Sequence, residues 1–382
     1  MNVPKACGRA AGGAPWGLVG MAALMLLVES AVERRGLDLL DMDDWAYRKA
    51  VKSARLAKNF DVLCFGDSLV KLGVVPRAVE ERSGLKTCNL AVSGSQASSS
   101  HALLKRCLDA GARPSAVIVD FQPPLLRLNP RHNLHRWANV LTVSETVALA
   151  FSARDPDLFA TILLEKAFPS CQRREAVRAN VMGALKGTGD NHRYYNFLAF
   201  RNWSRNGGAQ LHAATPSLRT MSEQDAAAIR LGYYPKWEGH PANLAGLEQF
   251  LALAAERQIL VYWVLPPLLP ALQRQMAESG IDAAHDAFLR SWQARFSNLV
   301  VVDGRGKMSD PAAFYDANHL AAGGSYAYSQ ALGDLLRQRR SGVLGDRWAT
   351  LPTIRPVALP DGFEDLDQSR VALGAIEKAS RH

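Results

Sequence analysis

The sequence predicts a three-layer α/β protein, a parallel five-stranded sheet with helices on both faces. Three observations carry this. Five short apolar runs, each bounded by turn or polar residues, have the length and continuity of buried strands. Helical patterns lie between them, and that alternation implies right-handed crossovers joining parallel strands. The chain has 382 residues, 48% hydrophobic and 21% charged, which supplies a sizeable core and excludes both a disordered chain and a multi-span membrane protein.

In chain order the strands are expected at 61–65, 87–92, 116–121, 259–265 and 299–302. Helices are expected at 77–83, 99–110, 243–258, 270–296 and 323–339. A flavodoxin-like strand order would make the first strand central, and ligands in such sheets bind beyond the carboxyl ends of the strands. The segment 126–240 breaks the rhythm, because it is far longer than an ordinary crossover. Helix-like stretches near 140–150 and 158–167, and an aromatic run through Tyr194, Tyr195, Phe197, Phe200 and Trp203, make it an inserted helical cap between strands 3 and 4. Residues 127–240 hold 15 Lys or Arg against 9 Asp or Glu, two thirds of the chain's net charge of +9. A cationic cap beside a cleft favours an anionic glycan, although such charges usually form a solvated face.

The ends read differently. Residues 10–28 carry no charge and 16–28 are strongly apolar, so 1–32 is expected to be a membrane anchor or signal segment. A buried amino-terminal helix is the alternative. Lys5 and Arg9 favour a cytoplasmic start, while Arg34 and Arg35 oppose that orientation. Cys7 precedes the apolar run, so it does not read as a lipoprotein cysteine. Residues 33–59 form an arm, amphipathic at helical spacing over 43–58. The main domain is expected over 60–340. The tail 341–382, with Pro352, Pro356 and Pro360, reads as loop.

Several classes are disfavoured. The longest basic runs are pairs, such as Arg173-Arg174, so no nucleic acid is expected. The five cysteines show no CxxC and no clustering, and Cys64 and Cys88 sit in strand-like runs as buried thiols. His132 and His135 form an HxxH pair with no acidic partner at ligand spacing, so no metal is expected, and no cofactor. Asn202-Trp203-Ser204 matches the glycosylation pattern.

The chemistry-bearing residues lie at the strand ends. The first strand closes on Gly66-Asp67-Ser68-Leu69, where a glycine turn leaves Ser68 at the carboxyl edge of the sheet. A serine needs a base, an orienting acid and donors for a developing oxyanion. His319 and Asp316, in Asp316-Ala317-Asn318-His319 beyond the fifth strand, supply the first two if that loop folds back over Ser68. Gly94, after the second strand, can aim its N–H at the same point and join the Ser68 N–H in an oxyanion hole. The bland alternatives are a turn serine, a helix-opening histidine and a plain turn glycine.

In these blocks, in this order, the sequence resembles the SGNH, or GDSL, hydrolase superfamily over 61–119 and 258–339. The resemblance implies Ser68 as nucleophile, His319 as base and Asp316 as orienter, with Ser68 and Gly94 in the oxyanion hole. One block departs. Where the family places an Asn after the third strand, this chain reads Val119-Asp120-Phe121-Gln122-Pro123-Pro124, and Gln122 presents the amide in its stead. The layout of anchor, GDS block, large insert and terminal DxxH is similar to membrane-associated proteins related to alginate O-acetylation factors. That likeness implies an esterase or O-acyl(acetyl)transferase with an extracytoplasmic, periplasmic domain. Its substrate would be an acylated cell-envelope carbohydrate or polysaccharide, and its partner a membrane-bound O-acyltransferase. A non-catalytic relative that binds polysaccharide or that acyltransferase is the alternative, favoured by the missing Asn.

Overall fold

A computed structural model describes residues 16–187, 192–340 and 346–379. Lys5, Cys7 and Arg9 lie outside the described residues. The chain opens with α1 (Trp16–Arg34), α2 (Gly36–Leu39) and α3 (Met42–Ala54). α1 is long and apolar enough to cross a membrane, and its apolar side chains, among them Leu24 and Leu26, are exposed. β1 (Val62–Gly66), α4 (Ser68–Gly73), α5 (Pro76–Ser83), β2 (Thr87–Asn89), α6 (Ala97–Asp109) and β3 (Ala116–Asp120) follow. The insert contributes α7 (Pro123–Arg127), α8 (Leu134–Val140), α9 (Val143–Ala153), α10 (Pro156–Ala167), α11 (Pro169–Gln172), α12 (Arg174–Lys186), α13 (His192–Arg205) and α14 (Glu223–Tyr233). The second half of the sheet comprises α15 (Pro241–Glu256), β4 (Leu260–Leu265), α16 (Pro270–Glu278), α17 (Ile281–Arg295), β5 (Leu299–Asp303), α18 (Ala322–Arg340), β6 (Trp348–Thr350) and finally α19 (Leu366–Ala379).

The six strands are all parallel, in the order β2-β1-β3-β4-β5-β6. Strand alternation divides the core in two. Leu63, Phe65, Val117, Val119 and Trp263 pack with Leu104 of α6, Phe250 of α15 and Leu289 of α17. Cys64, Ile118, Val264 and Val302 face the other way, onto Val79 of α5, Leu272 of α16 and Leu332 of α18. Both faces of the sheet are therefore covered, which is why its strands read as unbroken apolar runs.

Four expectations change. The sheet has six strands, not five, because Trp348–Thr350 adds an edge strand in register with Val301–Asp303. The tail is accordingly not loop throughout, and it also forms α19. Asp365 starts that helix: its carboxylate accepts from Gln368 N–H while Gln368 Oε1 accepts from Asp365 N–H, a reciprocal cap. The helix expected over 270–296 divides into α16 and α17 at Gly280, whose φ of 77° is left-handed. The second strand stops at Asn89, whose amide donates to the Val70 and Val74 carbonyls and ties the chain to α4.

Gly66 is the hinge on which the site depends. Its φ is 120°, and a Cβ there would sit 2.5 Å from the Asp120 carbonyl oxygen of the paired strand. Gly66→Ala should therefore destabilise the fold by about 1–3 kcal/mol from backbone strain alone, with the clash added. A urea unfolding midpoint measures this; an unchanged midpoint would contradict the argument.

Candidate active site

Asp67, fully buried, caps α4 by accepting from Leu69 N–H at 2.7 Å. That cap fixes Ser68 as the first helical residue, half-buried at the carboxyl edge of β1. On the far side of the sequence, Asp316 Oδ1 accepts from the backbone N–H groups of Asn318, at 2.8 Å, and His319, at 2.9 Å. Tyr315 N–H donates to the His319 carbonyl, and Phe314 bridges Leu320, closing the loop tightly. The loop thus presents its own carboxylate to its own imidazole. His319 Nδ1 lies 2.8 Å from Asp316 Oδ2, and Nε2 lies 2.7 Å from Ser68 Oγ. The two blocks expected to converge are in hydrogen-bond contact across 251 positions of sequence.

Burial pushes the Asp316 carboxyl up, but the His319 hydrogen bond and charge, with the two backbone N–H groups, hold it below the usual carboxylate range. It is thus ionised and placed to stabilise an imidazolium.

A cleft of about 340 Å³ opens at this point, lined by Ser68, Gly94, Gln122, Asn318 and His319. Its remaining wall is largely apolar: Pro124, Leu125, Ala317, and Ile229 and Tyr233 from α14 of the insert. The N–H groups of Ser68 and Gly94 have no protein acceptor among the described residues. Gly94 has a φ of 66°, and a Cβ there would collide with the Arg136 guanidinium. Gln122 stands at the start of α7. Its Oε1 accepts from the buried Tyr234 hydroxyl at 3.0 Å, and that hydroxyl also approaches Asn318 Oδ1 at 3.4 Å. The amide nitrogen is thereby turned away from Tyr234.

Tyr233, Tyr234 and Ile229 were not singled out in the sequence, since nothing local marks α14 as a wall of the cleft. Neither was His212, whose ring lies 4.2 Å from the Tyr315 ring and is lowered to a pKa of about 4 by burial and by His319. Asn202 is fully buried and its amide donates to the Glu364 carbonyl and to Ser369 Oγ, so its glycosylation pattern is inaccessible in the folded chain. His135 faces Asp44 of α3 at 3.4 Å. The aromatics of the 194–203 run pack partly among themselves and on the arm, with Phe200 edge-on to Trp45.

Beneath the nucleophile lie two buried carboxyls, Asp67 and Asp120. Burial raises Asp67 to about 6, against the Leu69 N–H, Gln122 and the charge of His319. Burial, then the Asp67 charge, pushes Asp120 well up, and the Phe121 N–H and Trp263 indole pull back. An acid whose folded pKa is raised binds its proton more tightly when folded. Stability therefore falls as pH rises from about 4, the unfolded value, through the folded pKa, and stays lower above it. Asp120→Asn should raise the melting temperature at pH 7 by about 2–4 °C, with a smaller difference at pH 4. A lower melting temperature at pH 7 would contradict the assignment.

The fold and the site together define the class: a parallel α/β protein with a serine, an imidazole and a carboxylate in hydrogen-bonded series at the carboxyl edge of the sheet. No family model matches the chain, and no curated protein matches it.

Proposed function

We propose that the protein is a membrane-anchored serine esterase or O-acyltransferase of the SGNH type, with the three-layer arrangement of that superfamily. The observation that carries this reading is the 2.7 Å contact between Ser68 Oγ and His319 Nε2, with Asp316 behind the ring. His319 Nε2 takes the Ser68 proton as Oγ bonds to the ester carbonyl carbon. The oxyanion so formed is held by the Ser68 and Gly94 N–H groups, with the Gln122 amide as third donor. Collapse breaks the bond to the leaving alcohol, which takes the proton back from His319, and leaves the acyl group on Ser68. Water then releases the free acid, or a sugar hydroxyl carries the acyl group away, with His319 again the base. α1 supports attachment to a membrane, and in this reading the domain lies on the extracytoplasmic side. Acylated envelope carbohydrate is the substrate class and a membrane-bound O-acyltransferase the partner in this reading.

Incubation of the full chain with an acetyl ester, acid quenching and peptide mapping should find acetyl on Ser68. Release of that acetyl by water, or faster by an oligosaccharide, separates esterase from transferase. Gln122 in the place of the family's Asn favours a second reading, a non-catalytic protein that binds polysaccharide or that partner acyltransferase. Tight oligosaccharide binding with no acyl-Ser68 at any time would select it.

A further inference from the structure

The insert is fastened to the carboxyl end of the apolar helix. Ser170 N–H of α11 donates to Glu29 Oε2 at 2.8 Å. Buried Arg173 donates to the Val32 carbonyl at 2.9 Å and to Glu33 at 3.1 Å. α12 follows directly, and Asn180 Nδ2 donates to the Asp38 carbonyl of α2 at 3.3 Å. These contacts hold α11 and α12 beside the place where the chain leaves its apolar span.

Toward its carboxyl end the outward face of α12 is apolar. Val181, Met182 and Leu185 are 55%, 44% and 76% exposed. At i, i+1 and i+4 they fall within an arc of about 100° on the helix, which Arg174 and Arg178 occupy nearer its amino end. Arg174, Arg178 and Lys186 are exposed on the same helix against a single acid, Glu175, and Arg34 and Arg35 are exposed at the end of α1. A lone exposed apolar residue needs no explanation. A stripe of three with flanking cations, next to a helix able to span a bilayer, has the composition of a helix lying in the lipid headgroup layer.

We infer that α12 is an interfacial helix seated on an anionic lipid surface, with Val181, Met182 and Leu185 at the acyl boundary and Arg174, Arg178 and Lys186 at the phosphates. The inference rests on α1 spanning that same membrane. Charge complementarity and continuity with the span favour lipid over a protein partner. The seat adds a second attachment at the base of the span and so restricts how the domain, with its cleft, can turn about a single-helix tether.

The test uses the full chain in nanodiscs of phosphatidylcholine containing phosphatidylglycerol, on a Cys7→Ser, Cys171→Ser background. An environment-sensitive fluorophore is placed in turn at Leu24→Cys, Leu185→Cys and Leu231→Cys, the last on the exposed face of α14. A nitroxide deep in the lipid acyl chains should quench the label at 24, a shallow nitroxide should quench the label at 185, and neither should change the label at 231. Quenching at 24 without quenching at 185 overturns the seat and leaves the anchor standing. No quenching at either position removes anchor and seat together. A label at 185 that is shielded in detergent and unquenched in lipid overturns the lipid surface in favour of a protein contact.

Discussion

Ser68→Ala should reduce ester turnover by about 10⁴-fold or more while leaving the melting temperature close to that of the parent. The size follows from what the side chain does. Ser68 Oγ is the atom that would carry the acyl group, and its hydrogen bond to His319 Nε2 is the step at which the proton leaves. Removing it leaves only the backbone N–H groups and substrate binding. The fold should be spared, because the Asp67 cap on α4 uses the Leu69 N–H and does not involve the Ser68 hydroxyl. His319→Gln should lose a comparable factor, and the double variant little more, since groups acting as one unit are not additive. Steady-state kinetics on an activated acetyl ester measure all three. Full turnover in Ser68→Ala would mean that some other nucleophile carries the chemistry.

The second large effect is expected at Gln122. Loss of one oxyanion donor lowers kcat by about 100- to 1000-fold, so Gln122→Ala should fall in that range with KM nearly unchanged. The Tyr234 hydroxyl donates to Gln122 Oε1 and so fixes the orientation of the amide, whose nitrogen also bears on the buried Asp67 carboxylate. Tyr234→Phe should therefore lower kcat in the same direction but less, as a positioning effect, without moving the melting temperature much beyond the loss of one hydrogen bond. If Gln122→Ala keeps its full kcat, the hole consists of the Ser68 and Gly94 N–H groups alone, and the departure from the family pattern has no catalytic meaning.

The parts of the site legible in the sequence are those governed by local rules. Gly66 is required because the chain must reverse against the Asp120 carbonyl with a positive φ, and Ser68 follows at once. Asp316 and His319 stand three residues apart in a loop that bonds to itself, so their pairing needs no distant partner. Their meeting with Ser68 depends on strand order, and the run of five parallel strands in the order 2-1-3-4-5 supplies it. What the sequence hid is the work of packing. Ile229 and Tyr233 reach the cleft, and Tyr234 reaches Gln122 behind it, because α14 docks beside α16, and no periodicity marks such a contact. The Asp67–Asp120 pair arises from the register that sets Gly66 opposite Asp120. In the tail, three prolines outweighed the Asp365-x-x-Gln368 cap that marks α19, and a three-residue edge strand is too short to announce itself.

The central claim is that the Ser68 hydroxyl is activated by His319. Labelling of the full chain by a fluorophosphonate, followed by peptide mapping, tests it most directly. The reagent should attach to Ser68 in the parent, fail to attach in Ser68→Ala, and attach at least about 100-fold more slowly in His319→Gln. Equal labelling rates in the parent and in His319→Gln, or no attachment to Ser68 in the parent, would contradict the account.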